Sequence, residues 1–168
     1  MSLDAAYFIY FMIHVPLTLL IDDTFLIPPK YQLSIQKSLY RYQVTHNKDF
    51  LASELPIWMK YFVAVELIFQ LPVFLACIGS YLKSGSKKHI SRKLYPYILM
   101  YGFNAAFTSF QCLVYIYLQA SSYELSQYET YNLLGLYTPT FLIPFFMCID
   151  ITSRLIRSSD NYKKEKVN

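Results

Sequence analysis

The chain has 168 residues, 55% of them hydrophobic and only 15% charged, a balance that suits a polytopic membrane protein and excludes an ordinary soluble domain. Its net charge of +4 sits in particular loops rather than across one face, so it does not point to nucleic acid as a partner. Aromatic residues reach 18%, with 17 tyrosines and 13 phenylalanines, side chains that suit interfacial belts and the walls of an apolar cavity.

Four apolar stretches, 5–21, 57–82, 94–118 and 131–156, are long enough to cross a bilayer, since about 20 helical residues span a hydrocarbon core of about 30 Å. The expected fold is all-α: a single domain over 1–168, built as a bundle of four transmembrane helices kinked by prolines around an internal pocket. A tail follows from 157.

The first stretch contains His14-Val15-Pro16-Leu17-Thr18, so Pro16 interrupts a helix at mid-membrane depth and frees backbone groups that neighbours must satisfy. No basic residue precedes it and no small-residue cleavage pattern follows, so it is expected to be retained as an anchor rather than removed. The run ends at Asp22-Asp23. The segment 23–54 holds Lys30, Lys37, Arg41 and Lys48 and is expected to be partly structured, with a short helix around Tyr31–Tyr42 lying over the bundle. Within it Asp49 reads as structural, capping a turn or pairing with Arg41 or Lys48.

The second stretch carries Glu66 in its apolar interior, with Gln70 one turn later and Pro72 beyond. A charged side chain at that depth costs about 2.5–3.5 kcal/mol on insertion scales, so Glu66 marks a cavity, a partner or a site. Helical spacing places Trp58, Phe62, Val65, Glu66, Phe69, Gln70 and Val73 on one face. In the third stretch Tyr101 and Thr108 share a face, with Asn104 and Ala105 between them. In the fourth, Tyr137, Thr140 and Pro144 share one, and Pro139 adds a second proline. Aromatic surfaces with a sparse polar fringe are the make-up of a small-molecule pocket, although ordinary helix packing uses the same residues.

Asp22 and Glu66 fall near the same membrane level on antiparallel neighbours, close enough to meet. Two such carboxyls in a low-dielectric cavity cannot both ionise. Glu66, the deeper group, is expected to keep the proton and Asp22 to be the anion, which favours ligands with an amine or hydroxyl donor on an apolar body. A helix–helix latch and a proton donor–acceptor pair for double-bond isomerisation are the alternatives. Cys77, Cys112 and Cys148 lie in apolar stretches and read as small core residues. The three histidines are far apart and no metal-ligand spacing occurs, so no metal or cofactor is expected.

Lys83, Lys87, Lys88, Arg92 and Lys93 lie between the second and third stretches, and Arg154, Arg157, Lys163, Lys164 and Lys166 in and after the fourth. The positive-inside rule then puts both termini in the cytosol. Lys164 and Lys166, fifth and third from the end, follow the pattern of dibasic retrieval signals of endoplasmic-reticulum membrane proteins.

The strings His14-Val15-Pro16-Leu17-Thr18-Leu19-Leu20-Ile21-Asp22, Pro56-Ile57-Trp58-Met59-Lys60, Glu66-Leu67-Ile68-Phe69-Gln70-Leu71-Pro72 and Tyr137-Thr138-Pro139-Thr140-Phe141-Leu142-Ile143-Pro144 resemble the sigma-2 receptor (transmembrane protein 97) family. That family lies within the EXPERA superfamily, which also holds emopamil-binding sterol isomerases. The resemblance covers essentially the whole chain and suits a fungal member. It implies a four-helix endoplasmic-reticulum protein, usually dimeric, with a pocket for sterols and cationic amphiphiles and a role in sterol or protein homeostasis. It further implies that Asp22 is the amine-binding acid, Glu66 its protonated partner and Asp49 a structural acid. Gln70, Tyr101, Thr108 and Tyr137 match pocket positions. A cholesterol transporter of the Niemann–Pick type, or mitochondrial precursor proteins for the fungal branch, are the implied partners. The chain departs from the family at Asn47, where an aromatic is usual, and at Thr140, where a tyrosine is. The isomerases' histidine one turn before the glutamate is Phe62 here, which argues for binding rather than catalysis.

Overall fold

The computed structural model describes the backbone of residues 2–167 and the side chains of residues 2–159. Helices α1 (Leu3–Leu20), α2 (Ser34–Thr45), α3 (Phe50–Glu54), α4 (Ile57–Val65), α5 (Leu71–Lys83), α6 (Tyr95–Gln119) and α7 (Gln127–Val167) follow one another, with no strand among the described residues. Three helical runs, Leu3–Phe25, Ile57–Lys83 and Gln127–Ser159, are long and apolar enough to cross a membrane. The 25-residue α6 is not one of them, because its five tyrosines together with Asn104, Gln111 and Gln119 lower its hydropathy. The helix α7 runs on past 156 to Val167, so the stretch from 157 is helical. Lys164 and Lys166 lie outside the described side chains.

Outward surfaces are apolar: Ile68 is 79% exposed and Phe103 70%, positions that only a lipid environment makes inexpensive. Ser2 caps α1, accepting from the Ala5 N–H at 3.2 Å, and Pro16 is carried inside that helix without ending it. Between α4 and α5 the chain makes one π-turn, Glu66–Gln70, closed by the Leu71 N–H on the Glu66 carbonyl. Pro72 follows at once, in the first turn of α5. A proline ring collides with the carbonyl four residues back in a regular helix, and a widened turn ahead of it relieves that contact.

At one end of the molecule Arg154 of α7 binds Asp4 of α1 and, at 2.8 Å, Asp150; it also reaches the Tyr95 hydroxyl of α6 at 3.3 Å. Tyr7 donates to Asp150 at 2.7 Å, and Asp4 accepts the Ile90 N–H at 2.7 Å. The start of α1, the lysine-rich loop and the far part of α7 are therefore held together at one end. At the other end Phe50 stacks on Tyr123 with centroids 4.1 Å apart, and α2 and α3 cover the bundle. Gln36 fixes that cover by donating to Asp23 and to the Leu19 carbonyl.

The longest helix contact is between α6 and α7. It closes at Gly102, where a Cβ would lie 2.8 Å from the Cys148 Sγ and 2.9 Å from the Pro144 carbonyl oxygen. The sulfur can shift but the helix backbone cannot, so Gly102→Ala is expected to cost about 1–3 kcal/mol by overpacking. Thermal unfolding in detergent micelles checks this, and Gly135→Ala, with nothing within 4 Å, is the control expected to change little.

Candidate functional site

A partly open cavity of about 290 Å³ lies where α1, α4, the π-turn, α6 and α7 converge beneath α2 and α3. Its walls are mostly apolar: Leu17, Ile21 and Phe25 from the first run, Met59, Phe62 and Val63 from α4, Ala105 and Cys112 from α6, and Leu136 from α7. Three carboxyl groups, Asp22, Asp49 and Glu66, face the same space, and among the described residues no lysine or arginine does.

Asp22, just past the end of α1, and Glu66, at the start of the π-turn, both line the cavity. Two carboxyls sharing a low-dielectric space resist ionising together. Thr18 donates to Glu66 Oε1 at 2.6 Å, and the His14 Nε2 stands 3.6 Å from the same oxygen. Glu66 and Gln70, the first and last residues of the π-turn, both face the cavity, where Gln70 is braced by donating to the Asn104 Oδ1 at 2.8 Å.

A second polar pole forms around Asp49, which is 1% exposed. It caps α3 by accepting the Ala52 N–H at 3.0 Å, and its other oxygen accepts Gln43 Nε2 at 2.8 Å and the Tyr137 hydroxyl at 2.9 Å. Asn47 extends the chain by donating to Gln43 Oε1 at 2.7 Å. Asp49 thus caps a turn as expected, but it pairs with neither Arg41 nor Lys48, and it borders the cavity instead of standing apart from it.

Of the residues singled out in the sequence, Asp22, Glu66, Gln70, Thr108 and Tyr137 line the cavity. Tyr101 does not. It is fully buried between Phe11 and Phe74, and its hydroxyl meets that of Tyr10 at 2.9 Å. Seven residues put Tyr101 on the face of Thr108, but they also displace it by about 10 Å along the axis, below the cavity floor formed by Tyr10. Thr140 also faces the cavity.

His14, Thr18 and Gln43 were not anticipated. The first two were readable: Tyr10, His14, Thr18 and Asp22 recur every four residues, a polar stripe on an otherwise apolar helix. Gln43 carried no such signal, since it depends on how α2 folds back over the bundle.

Residues 34–151 match the sequence profile of EXPERA, the expanded EBP superfamily. The chain belongs to the EXPERA superfamily. Among similar members, the efficient mitochondria targeting-associated protein 19 of Saccharomyces cerevisiae is 34% identical over 149 residues, covering 84% of this chain and 92% of that protein. The sigma intracellular receptor 2 of Homo sapiens is 31% identical over 147 residues, covering 84% of this chain and 82% of the receptor. The mitochondria targeting-associated protein of Schizosaccharomyces pombe is 25% identical over 158 residues, covering 94% of this chain and 79% of its own length. This EXPERA protein is therefore a membrane protein related to both the sigma-2 receptors and the yeast targeting-associated proteins.

Proposed function

We propose that the protein is a four-span endoplasmic-reticulum membrane protein that captures a sterol or similar lipid bearing an amine or hydroxyl donor, and through it regulates sterol or protein handling. The observation that carries this reading is that Asp22 and Glu66, with Asp49, line a mostly apolar cavity to which no lysine or arginine among the described residues contributes. Buried acids without a cation from the protein gain most from a ligand cation. At about 290 Å³ the cavity sits at the lower edge of sites for drug-sized ligands, so the rest of the ligand extends through the open side toward lipid.

The fourth span is α6, whose 25 residues reach about 37 Å. Tyr95 and Tyr97 at one end and Tyr115 and Tyr117 at the other suit the two interfaces. The lysine-rich loop lies at the end that holds the start of α1 and Arg154, which supports cytosolic termini.

The test uses full-length protein in lipid nanodiscs with an amine-bearing sterol photoprobe. Capture that an unlabelled amine-bearing sterol competes away supports the reading, and absence of competable capture overturns it. Native mass spectrometry of the same sample reads co-purifying lipid and the homodimer that the family likeness implies.

A second reading, sterol isomerase, is favoured by one contact. The second span lacks a histidine before Glu66, yet His14 brings an imidazole to Glu66 from α1. Incubation with a Δ8-sterol separates the two, because a binder leaves the double bond where it was. The name of the yeast relative supports an adaptor role toward mitochondrial precursor proteins, which would use the Lys83–Lys93 loop. Crosslinking from that loop tests it.

A further inference from the structure

The two ends of the molecule carry similar numbers of exposed cations but differ in their acids. At the end covered by α2 and α3, the exposed Lys30, Lys37, Arg41 and Lys48 share the surface with exposed Glu54 and Glu124. At the other end Lys83, Lys87, Lys88, Arg92 and Lys93 are exposed on the segment 83–94, which contains no aspartate or glutamate. The acids that reach this end from α1 and α7, Asp4 and Asp150, are taken by Arg154. Among the described residues none of the five cations forms an ion pair, and Lys88 stands over the Tyr81 ring, 5.6 Å from its centroid.

The segment is also held in one shape. Three consecutive N–H groups are taken by side-chain oxygens: His89 donates to Ser84 Oγ at 3.1 Å, Ile90 to Asp4 Oδ2 at 2.7 Å and Ser91 to Ser80 Oγ at 2.8 Å. The Ile90 side chain is 1% exposed and plugs the loop into the core. Gly85 and Lys88 both have positive φ, +59° and +46°, so the loop turns sharply, and the two serine contacts bring 89–91 back against the end of α5. Orienting a helix pair in a membrane needs positive charge but no fixed loop shape. Just inside the loop, Leu82, Tyr97 and Met100 are each more than half exposed and offer an apolar surface to acyl chains.

We infer that this loop is an ordered site for the headgroup of an anionic phospholipid, with Lys87, Lys88, Arg92 and Lys93 meeting its phosphate and Leu82, Tyr97 and Met100 lying along its chains. The inference does not depend on what the cavity binds. Lysine and arginine both form charge-assisted hydrogen bonds to phosphate oxygens, and a cation beside an anionic leaflet favours binding by about fivefold. The apolar rim selects a lipid over a soluble phosphate, because only a lipid covers both parts of the surface.

The experiment places the full-length protein in mixed micelles with equal amounts of phosphatidylserine and phosphatidylcholine, and native mass spectrometry reads the lipid retained. Wild-type protein is expected to retain the serine lipid over the choline lipid by about tenfold, a preference that falls as salt is raised. Replacing Lys87, Lys88, Arg92 and Lys93 together with glutamine is expected to bring the ratio near parity. The charge-matched replacement of Lys30, Lys37, Arg41 and Lys48 with glutamine is expected to leave it unchanged. Ser80→Ala with Ser84→Ala keeps every cation but releases the loop, and is expected to lower the ratio about threefold. Should that double variant not fold, Ser80→Ala alone carries the comparison. Glycerophosphoserine, the same headgroup without acyl chains, is not expected to displace the retained lipid. Parity in the wild type, equal losses from the two sets of four, an unchanged ratio in the serine variant or displacement by glycerophosphoserine would each overturn the inference.

Discussion

Replacing Asp22 with asparagine is expected to cut capture of an amine-bearing sterol probe by about thirtyfold or more, because truncating one side of a buried charge pair costs about 2–5 kcal/mol. Asparagine preserves volume and still faces Glu66, so the fold survives and the loss reads on binding alone. The companion change discriminates between electrostatic roles. In Glu66→Gln the amide oxygen can still accept from Thr18 and the amide N–H can still donate to Asp22, which reproduces a protonated carboxyl. Capture by Glu66→Gln is therefore expected to stay within about tenfold of the wild type. Equal and severe losses in both variants would show that Glu66 binds as an anion, contrary to the shared-proton account. Intact capture in Asp22→Asn would remove the acid pair from the binding site altogether.

The second large effect is on stability. Asp49→Ala is expected to destabilise the protein by about 3 kcal/mol or more. The change removes the cap of α3 and leaves the Gln43 amide and the Tyr137 hydroxyl without their acceptor inside the bundle. Those three donors come from α3, α2 and α7, so one carboxyl ties the cover to the long helix. Asp49→Asn keeps an oxygen for the Ala52 N–H but opposes an amide to the Gln43 amide, and it is expected to cost about half as much. Thermal unfolding of both variants in micelles, monitored by tryptophan fluorescence from Trp58, checks the order. A melting temperature for Asp49→Ala equal to the wild type would mean that the cover holds without this contact.

Much of the architecture was legible because hydropathy and length are properties of composition. The runs at the start of the chain, at Ile57–Lys83 and within α7 announce themselves as apolar helices. That Asp22 and Glu66 border one cavity was legible too, since a helix end and an interior position on an antiparallel neighbour share a level. What escaped were features that depend on departures from regular spacing. A reading at 3.6 residues per turn cannot foresee a π-turn, although Pro72 was its visible cause. The same reading put Tyr101 on the correct face without telling how deep the cavity reached. The extension of α7 beyond 156 was hidden because charged residues read as a tail, while lysine, glutamate and arginine continue a helix readily. His14 at Glu66 was hidden because the imidazole comes from α1, a different helix from the one that carries the acid.

The π-turn at Glu66–Gln70 also has a bearing on insertions and deletions. It amounts to one surplus residue wound into an otherwise continuous rod. Removing Ile68, whose side chain points outward, would take out that surplus and let the rod rewind regularly with the residues beyond it kept in phase. Phe74 and Cys77 would then stay in the packed interior. The same loss elsewhere along this helix has no slack to absorb it and would turn everything beyond by about 100°, so a single-residue gap is better tolerated at the π-turn than along the rest of the stretch.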